Sequence, residues 1–185
     1  MQRKDMARSY ILKELVEKSG FNPLTDTSGN VLRLDHIDIL QKQSWGAVFI
    51  FELLDGDYIN EEEMIRRLEK GFNAIRSIEG QYPVILMEAF LFENGIPQNK
   101  LRLLEDMLGK MQWHKRYITS FCLDMEAARI FRLAEPPVSL EGLDRVLNRA
   151  VAVDMSSDGF HESFADPYEK YEETARRKQN VRLSD

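Results

Sequence analysis

The sequence lacks most of the features that mark a secreted or membrane-spanning protein. It contains a single cysteine, Cys122, so no disulfide can form within the chain, which is typical of a reducing cytoplasm. Its longest apolar runs have about ten residues, whereas a membrane-spanning helix needs roughly 20. The N-terminus, Met1 to Asp5, is charged and has no signal-peptide core. The chain as given is therefore predicted to be soluble.

The sequence also lacks the short motifs of common enzymes. Its three histidines, His36, His114 and His161, form no HExxH motif and no close pair with a cysteine, which argues against a zinc site. No GxSxG, GxGxxG or Walker sequence is present. Cys122 lies within an apolar run and is interpreted as a core residue rather than a nucleophile. We therefore predict no catalytic residue and no cofactor.

The net charge of the chain argues against a nucleic-acid partner. The chain has 31 acidic and 25 basic residues and a net charge of -6. An acidic protein repels phosphate backbones, so we expect no nucleic-acid partner, although a local basic patch is compatible with this composition.

Apolar runs alternate with amphipathic helical patterns through the middle of the chain. The runs are Trp45–Leu54, Pro83–Phe92 and Tyr117–Asp124, and the helical patterns are Asn60–Glu79 and Pro97–Met111. Strands that are apolar on nearly every residue are usually buried on both faces of a sheet. A helix between two such strands gives a crossover and parallel pairing. We therefore predict an α/β fold with a mixed, mainly parallel sheet of at least four strands, flanked by helices on both faces.

The remaining segments are predicted from local signals. A first helix is expected over Arg3–Ser19, because its apolar residues recur at helical spacing and Gly20 suits the stop. The segment Asp35–Ser44 is compatible with either a helical turn or a short strand. Ala128–Leu133 is predicted to form a hairpin with the preceding run. Ser139 is expected to cap one more helix.

The chain changes character after Val153. Asp154–Pro167 has few large aliphatic residues and is interpreted as a linker, and Tyr168–Gln179 has the pattern of a polar helix. This helix is acidic at its start and basic at its end. We therefore divide the chain into an α/β domain, residues 1–153, and a polar linker with a charged helix, residues 154–185.

The carboxylates are the strongest candidates for a functional site in this sequence. Glu52 and Glu88 interrupt apolar strands, where an unpaired charge is costly. One interpretation is that these acids face solvent or pair with Arg33, Arg129 or Arg132. The other is a divalent-cation site built from carboxylate oxygens, since hard cations need several convergent ligands. The residues proposed for that site are Glu52, Glu88 and Asp55.

The order of helices and strands resembles the restriction-endonuclease-like core. Active members of that group carry an acidic residue followed by an acid-x-Lys dyad on the next strand. Here Glu52 is followed by Leu53 and Leu54, and Glu88 by Ala89 and Phe90. The resemblance therefore implies an enzyme only in the form of a metal-dependent nuclease-like protein or its inactive relic.

The layout also resembles the cytoplasmic N-terminal domain of rhomboid-family intramembrane proteases of Gram-positive bacteria. Three segments carry this resemblance: the helix from Tyr10 to Val16 followed by Gly20-Phe21, the unit Val48–Glu52 with the helix to Phe72, and the tail Glu172–Lys178. In that family the protease serine and histidine lie in a membrane part, so no catalytic residue carries over to this chain.

The resemblance implies a non-catalytic regulatory or interaction domain at the inner face of the cell membrane. Its expected partner is another protein or its own membrane domain, with the basic C-terminal tail close to the membrane, because basic residues favour the cytoplasmic side. The alternatives that stay open are the nuclease-like enzyme or relic and a free-standing cytoplasmic adaptor.

Overall fold

A computed structural model describes residues 2–26, 28, 30–32, 34–44, 46–67, 69, 83–110, 118–133 and 141–152. Within these ranges the chain forms a six-stranded sheet and four helices. The strands are β1 (Asn22–Pro23), β2 (Ile37–Ser44), β3 (Ala47–Asp55), β4 (Val84–Phe92), β5 (Ile118–Asp124) and β6 (Arg129–Arg132). The helices are α1 (Arg3–Glu17), α2 (residues 61–67), α3 (Gln98–Lys110) and α4 (Glu141–Val151).

The strands lie side by side in sequence order. β3 pairs with β4, and β4 with β5, in parallel, which confirms the predicted pairing of the two long apolar strands. The pairs β1–β2, β2–β3 and β5–β6 are antiparallel. The sheet is therefore mixed as predicted, but "mainly parallel" is wrong outside its centre, because the short connections before β3 and after β5 allow only hairpins.

The buried apolar side chains divide into two clusters. Successive residues of the central strands, such as Ala89 and Phe90 of β4, belong to different clusters. The first cluster includes side chains of α1 and α4, and the second includes Met64 of α2 together with Leu104 and Leu108 of α3. Because successive residues of a strand point to opposite sides, β4 is completely buried along its length.

Local signals in the sequence account for the start of α2 and the end of α1. The Glu63 amide donates to Oδ1 of Asn60 at 2.8 Å, so Asn60, where the predicted helix begins, is the N-cap of α2. Ile59 and Met64 are both buried in the second cluster, as expected for a hydrophobic staple. α1 ends within two residues of its predicted boundary, and Gly20 beyond it has a φ of 73°.

Two predictions about the first third of the chain are resolved. The ambiguous segment Asp35–Ser44 contains strand β2, and the short strand β1 lies between α1 and that segment. Several predicted features lie outside the described residues. These are Trp45, Arg33, the second half of the helix after Asn60, Ser139, and the linker and charged helix of residues 154–185.

Candidate functional site

The strongest chemical feature of the core is a buried carboxyl group in the middle of the sheet. Glu88 lies at the centre of β4, with Glu52 of β3 opposite it on one side and Ser120 of β5 on the other. Side chains that are paired across neighbouring strands lie on the same face of a sheet, roughly 4.8 Å apart along the hydrogen-bonding direction. The three residues therefore form a polar row within the second apolar cluster, which we call the Glu88 row.

Glu88 is fully buried, and neither of its carboxyl oxygens has a hydrogen-bond partner among the described residues. The hydroxyl of Ser120 is also buried without a partner there. Glu88 therefore does not face solvent, and among the described residues it pairs with no arginine. Such buried unsatisfied groups are rare in native proteins and costly, so this position is the clearest departure from a purely apolar sheet.

Glu52 differs from Glu88 because it is partly exposed and paired. Nη1 of Arg67, on α2, lies 3.3 Å from Oε2 of Glu52, and Nε of the same arginine lies 3.1 Å from Oε1 of Glu63. The arginine side chain is itself only 13% exposed. Arg67 therefore ties α2 to the sheet at the side of the Glu88 row.

The electrostatic setting keeps Glu88 neutral over an extended pH range. Burial raises the pKa of its carboxyl group well above the usual value, and the negative charge of Glu52 raises it further, whereas Arg67 opposes the shift. Burial likewise raises the pKa of Cys122 to about 12. The buried thiol is therefore protonated at neutral pH, which agrees with its interpretation as a core residue.

The structure brings together two of the three residues predicted to bind a cation. Asp55 lies at the end of β3, an odd number of residues from Glu52, so the two side chains point to opposite faces of the strand. Within the described ranges, no group of three or more histidine, cysteine or acidic side chains is arranged to hold a metal ion. The Glu88 row offers two carboxyl groups and a hydroxyl, with Arg67 beside one of them.

A second polar cluster lies at the carboxyl ends of β3 and β4 and contains Asp55. The Nζ of Lys4 lies 2.8 Å from Oδ1 of Asp55 and 2.8 Å from Oδ2 of Asp57, and the Lys4 side chain is only 7% exposed. Burial lowers the pKa of Lys4, but the hydrogen bonds to Asp55 and Asp57 outweigh it, so the pKa is raised. Lys4 therefore stays charged and fastens the first turn of α1 to the loop after β3.

The segment that follows β4 contributes to the cap of α1. The carboxylate of Glu93 accepts hydrogen bonds from the amides of Arg3, at 3.2 Å, and Lys4, at 2.7 Å. The Glu93 amide in turn donates to Oδ2 of Asp57 at 3.0 Å. A negative charge at the N-terminus of a helix satisfies free amides and complements the helix dipole.

A cavity of about 190 Å³ lies beside this cluster. Lys4, Asp5, Arg8, His36 and Asp55 contribute to its polar lining. Arg8 forms a two-pronged contact with the buried carboxylate of Asp38, with N–O distances of 2.5 and 2.6 Å. The carboxyl ends of parallel strands are the usual ligand site of open α/β sheets, but here the charged groups contact one another.

Sequence reasoning singled out Asp55 of this cluster but not its partner Lys4. Lys4 and Arg8 lie one helical turn apart on α1, and no local pattern links them to acids that follow it by 30 residues or more. Arg132, which was considered as a partner of the strand acids, contacts Asp144 of α4. One usable signal was the spacing of the two cations, since residues four apart lie on the same face of a helix.

The chain matches no protein-family model, no curated protein and no solved structure. The resemblances to rhomboid-family domains and to restriction endonucleases therefore stay predictions. Over the part of the chain that is described, none of the helices has the length and apolar character needed to cross a bilayer.

Proposed function

We propose that this chain is a non-catalytic regulatory or interaction domain of a membrane protein, of the kind found before the membrane part of rhomboid-family proteases. The observation that carries the proposal is the mutual pairing of charges at the carboxyl edge of the sheet. Lys4 is held between Asp55 and Asp57, and Arg8 is bound to Asp38. These contacts fasten α1 to the sheet. The charged groups at the position where α/β enzymes bind their substrates therefore have a structural role here.

The fold supports this proposal in a second way. α1 and α4 contribute to one apolar cluster and α2 and α3 to the other, which favours a sheet with helices on both faces. Such a sheet is a self-contained scaffold of ordinary domain size. Its partner would be another protein or the membrane part of the same polypeptide, with the domain at the cytoplasmic face of the membrane.

The test is the location of the native gene product. An epitope tag is placed at the N-terminus of the chromosomal gene, and the cell lysate is separated into soluble and membrane fractions. We expect the tagged protein in the membrane fraction, resistant to washing with carbonate and released by detergent. Recovery of the whole product in the soluble fraction would contradict the proposal and favour a free-standing adaptor.

The alternative function is a metal-dependent nuclease-like enzyme or its inactive relic. The observation in its favour is the alignment of Glu52 with Glu88, together with an element order of helix, strands, helix and parallel strand that resembles the restriction-endonuclease core. The absence of lysine two positions after either acid argues for a relic. Under our first proposal, the purified chain hydrolyses neither DNA nor RNA with magnesium or manganese.

The matched variants for this assay are Glu88→Gln, in the Glu88 row, and Glu105→Gln, on the exposed side of α3. Cleavage that requires the metal, disappears in Glu88→Gln and persists in Glu105→Gln would establish the enzymatic alternative. Cleavage that both variants retain would indicate a contaminating nuclease.

A further inference from the structure

An exposed aromatic patch lies beyond the carboxyl end of β3, next to the Lys4 cluster. Tyr58 is 67% exposed, and its ring stacks on that of His36 with 4.1 Å between centroids and 8° between planes. Leu34, two residues from His36, is 45% exposed. We call Leu34, His36 and Tyr58 the Tyr58 patch. Exposed large side chains that hold a fixed arrangement are typical anchors of an interface.

The backbone holds this patch in place. His36 has a φ of 62°, a left-handed conformation that is uncommon outside glycine and costs free energy. The turn is maintained because the amide of Asp55 donates to the carbonyl oxygen of His36 at 3.0 Å. The patch is therefore attached to the end of β3 rather than carried on an independent loop.

The exposed charges around the patch are mainly negative, and the exposed Arg8, which lines the same cavity as His36, already contacts Asp38. Asp35 and Asp57, next to His36 and Tyr58 in sequence, are exposed, as are Glu61 and Glu62 at the start of α2. The nearby cation Lys4 is only 5% exposed, with its Nζ held by two aspartates. A segment that binds the Tyr58 patch is therefore expected to be basic.

The chain leaves the described structure at the same end of the molecule. Nη2 of Arg3 donates to the carbonyl oxygen of Val151, at the end of α4, at 3.4 Å. Arg3 precedes Lys4, whose Nζ lies 5.4 Å from the centre of the Tyr58 ring. The segment between Ala152 and Arg176 can span about 80 Å when it is extended, far more than this separation requires.

We propose that the basic run Arg176, Arg177 and Lys178 of the same chain docks on the Tyr58 patch. The aliphatic stems of these side chains would cover the exposed rings, and their charged ends would pair with the surrounding carboxylates. Attachment to the same polypeptide gives an effective concentration in the millimolar range, so a weak contact suffices. This inference goes beyond the proposed function and does not depend on the membrane location.

The experiment uses the complete 185-residue chain without lipid. A nitroxide label is attached to an Asn180→Cys variant, since the native Cys122 is fully buried and does not react. Paramagnetic broadening of backbone amide signals then reports which surface the tail visits. We expect the signals of residues 34–37 and 57–60 to broaden several-fold more than those of β6, an edge strand that is separated from β3 by two strands.

Two variants separate docking from random contact. Simultaneous charge reversal of Arg176, Arg177 and Lys178 to Glu should abolish the excess broadening, and so should Tyr58→Ala. The matched control Phe131→Ala removes another exposed aromatic residue, on β6, and should leave the broadening unchanged. High salt should weaken the contact, because exposed charges are screened.

Three results would overturn the proposal. The first is broadening spread evenly over the surface. The second is broadening at the patch that survives both charge reversal and Tyr58→Ala. The third is the absence of broadening in the signals of the patch, together with binding of the tail to vesicles of phosphatidylglycerol and phosphatidylcholine. That result would assign the basic run to the membrane surface.

Discussion

Glu88 and Glu52 lie directly opposite each other on parallel neighbouring strands, yet among the described residues an arginine contacts Glu52 and none contacts Glu88. Arg67 approaches Glu52 from α2, whereas Glu88 is fully buried with no hydrogen-bond partner among the described residues. The two acids therefore have different electrostatic surroundings in the same folded structure. Burial and the Glu52 charge raise the pKa of Glu88 well above its usual value.

The first prediction concerns the pH dependence of stability. Because the pKa of Glu88 is higher in the folded than in the unfolded protein, the folded state binds more protons, and the stability due to Glu88 falls as pH rises above about 4.5. Glu88→Gln removes this titration. We expect urea unfolding between about pH 5 and pH 8 to show a flatter profile for Glu88→Gln than for the wild type.

The matched comparison for this experiment is Glu52→Gln, which removes the acid that Arg67 contacts. This variant should lose stability, since it leaves Arg67 without one of its two carboxylate partners. If Glu88→Gln shows the same pH profile as the wild type, then Glu88 has an ordinary pKa and a partner that the described residues do not include.

The second prediction concerns Lys4. Replacing it by methionine keeps the aliphatic stem but leaves Asp55 and Asp57 without their shared cation, and we expect a loss of about 1–3 kcal/mol in the free energy of unfolding. The expected loss is smaller than that for breaking a fully buried ion pair, because the side chains of Asp55 and Asp57 are 19% and 32% exposed. The measurement is chemical denaturation near neutral pH.

The ion pairs of Lys4 should also affect the stability of the protein at alkaline pH. Its pKa is raised in the folded protein, so its contribution is complete below the unfolded value of 10.5 and is lost as pH rises through the folded value. Lys4→Met should lack this part of the alkaline loss of stability. The exposed control Lys18→Met, which removes a pairing with Glu14 within one helix, should behave like the wild type near neutral pH.

The contacts of Lys4 are an example of a feature that could not be predicted from the sequence. The parallel strands, the hairpin after β5 and the Asn60 cap could be predicted because each depends on residues close together in the chain. The pairing of Lys4 with Asp55 depends on how α1 packs against the sheet, which no local pattern specifies. Glu88 was recognised as unusual, but its lack of a partner is a property of the packed structure.

The third prediction tests a close approach between a loop and the core. A Cβ atom added to Gly56 would lie 2.6 Å from the ring of Phe92, which is completely buried and cannot move aside. We expect Gly56→Ala to lower the free energy of unfolding by about 1–3 kcal/mol, as is typical of overpacking. The control is Gly109→Ala on α3, where an added Cβ has no neighbour within 4 Å.

Gly109→Ala should instead stabilise the protein by up to about 0.5–1 kcal/mol, because alanine favours a helix more than glycine does. Opposite signs for the two glycine substitutions would support the packing of the loop after β3 on Phe92. Equal and small effects would show that the loop can shift away from the ring.

The last prediction concerns the segment after Val153. It has few apolar residues, so burying it cannot offset the entropy lost on ordering it, and a contact of three basic side chains with an exposed patch is weak. We expect truncation after Val153 to change the melting temperature of the domain very little, as measured by circular dichroism. The charge reversal of Arg176, Arg177 and Lys178 in the complete chain is the matched control and should also leave the melting temperature unchanged. If truncation lowers the melting temperature by several degrees while charge reversal does not, then apolar side chains of the tail pack on the core. The domain boundary at Val153 would then be misplaced.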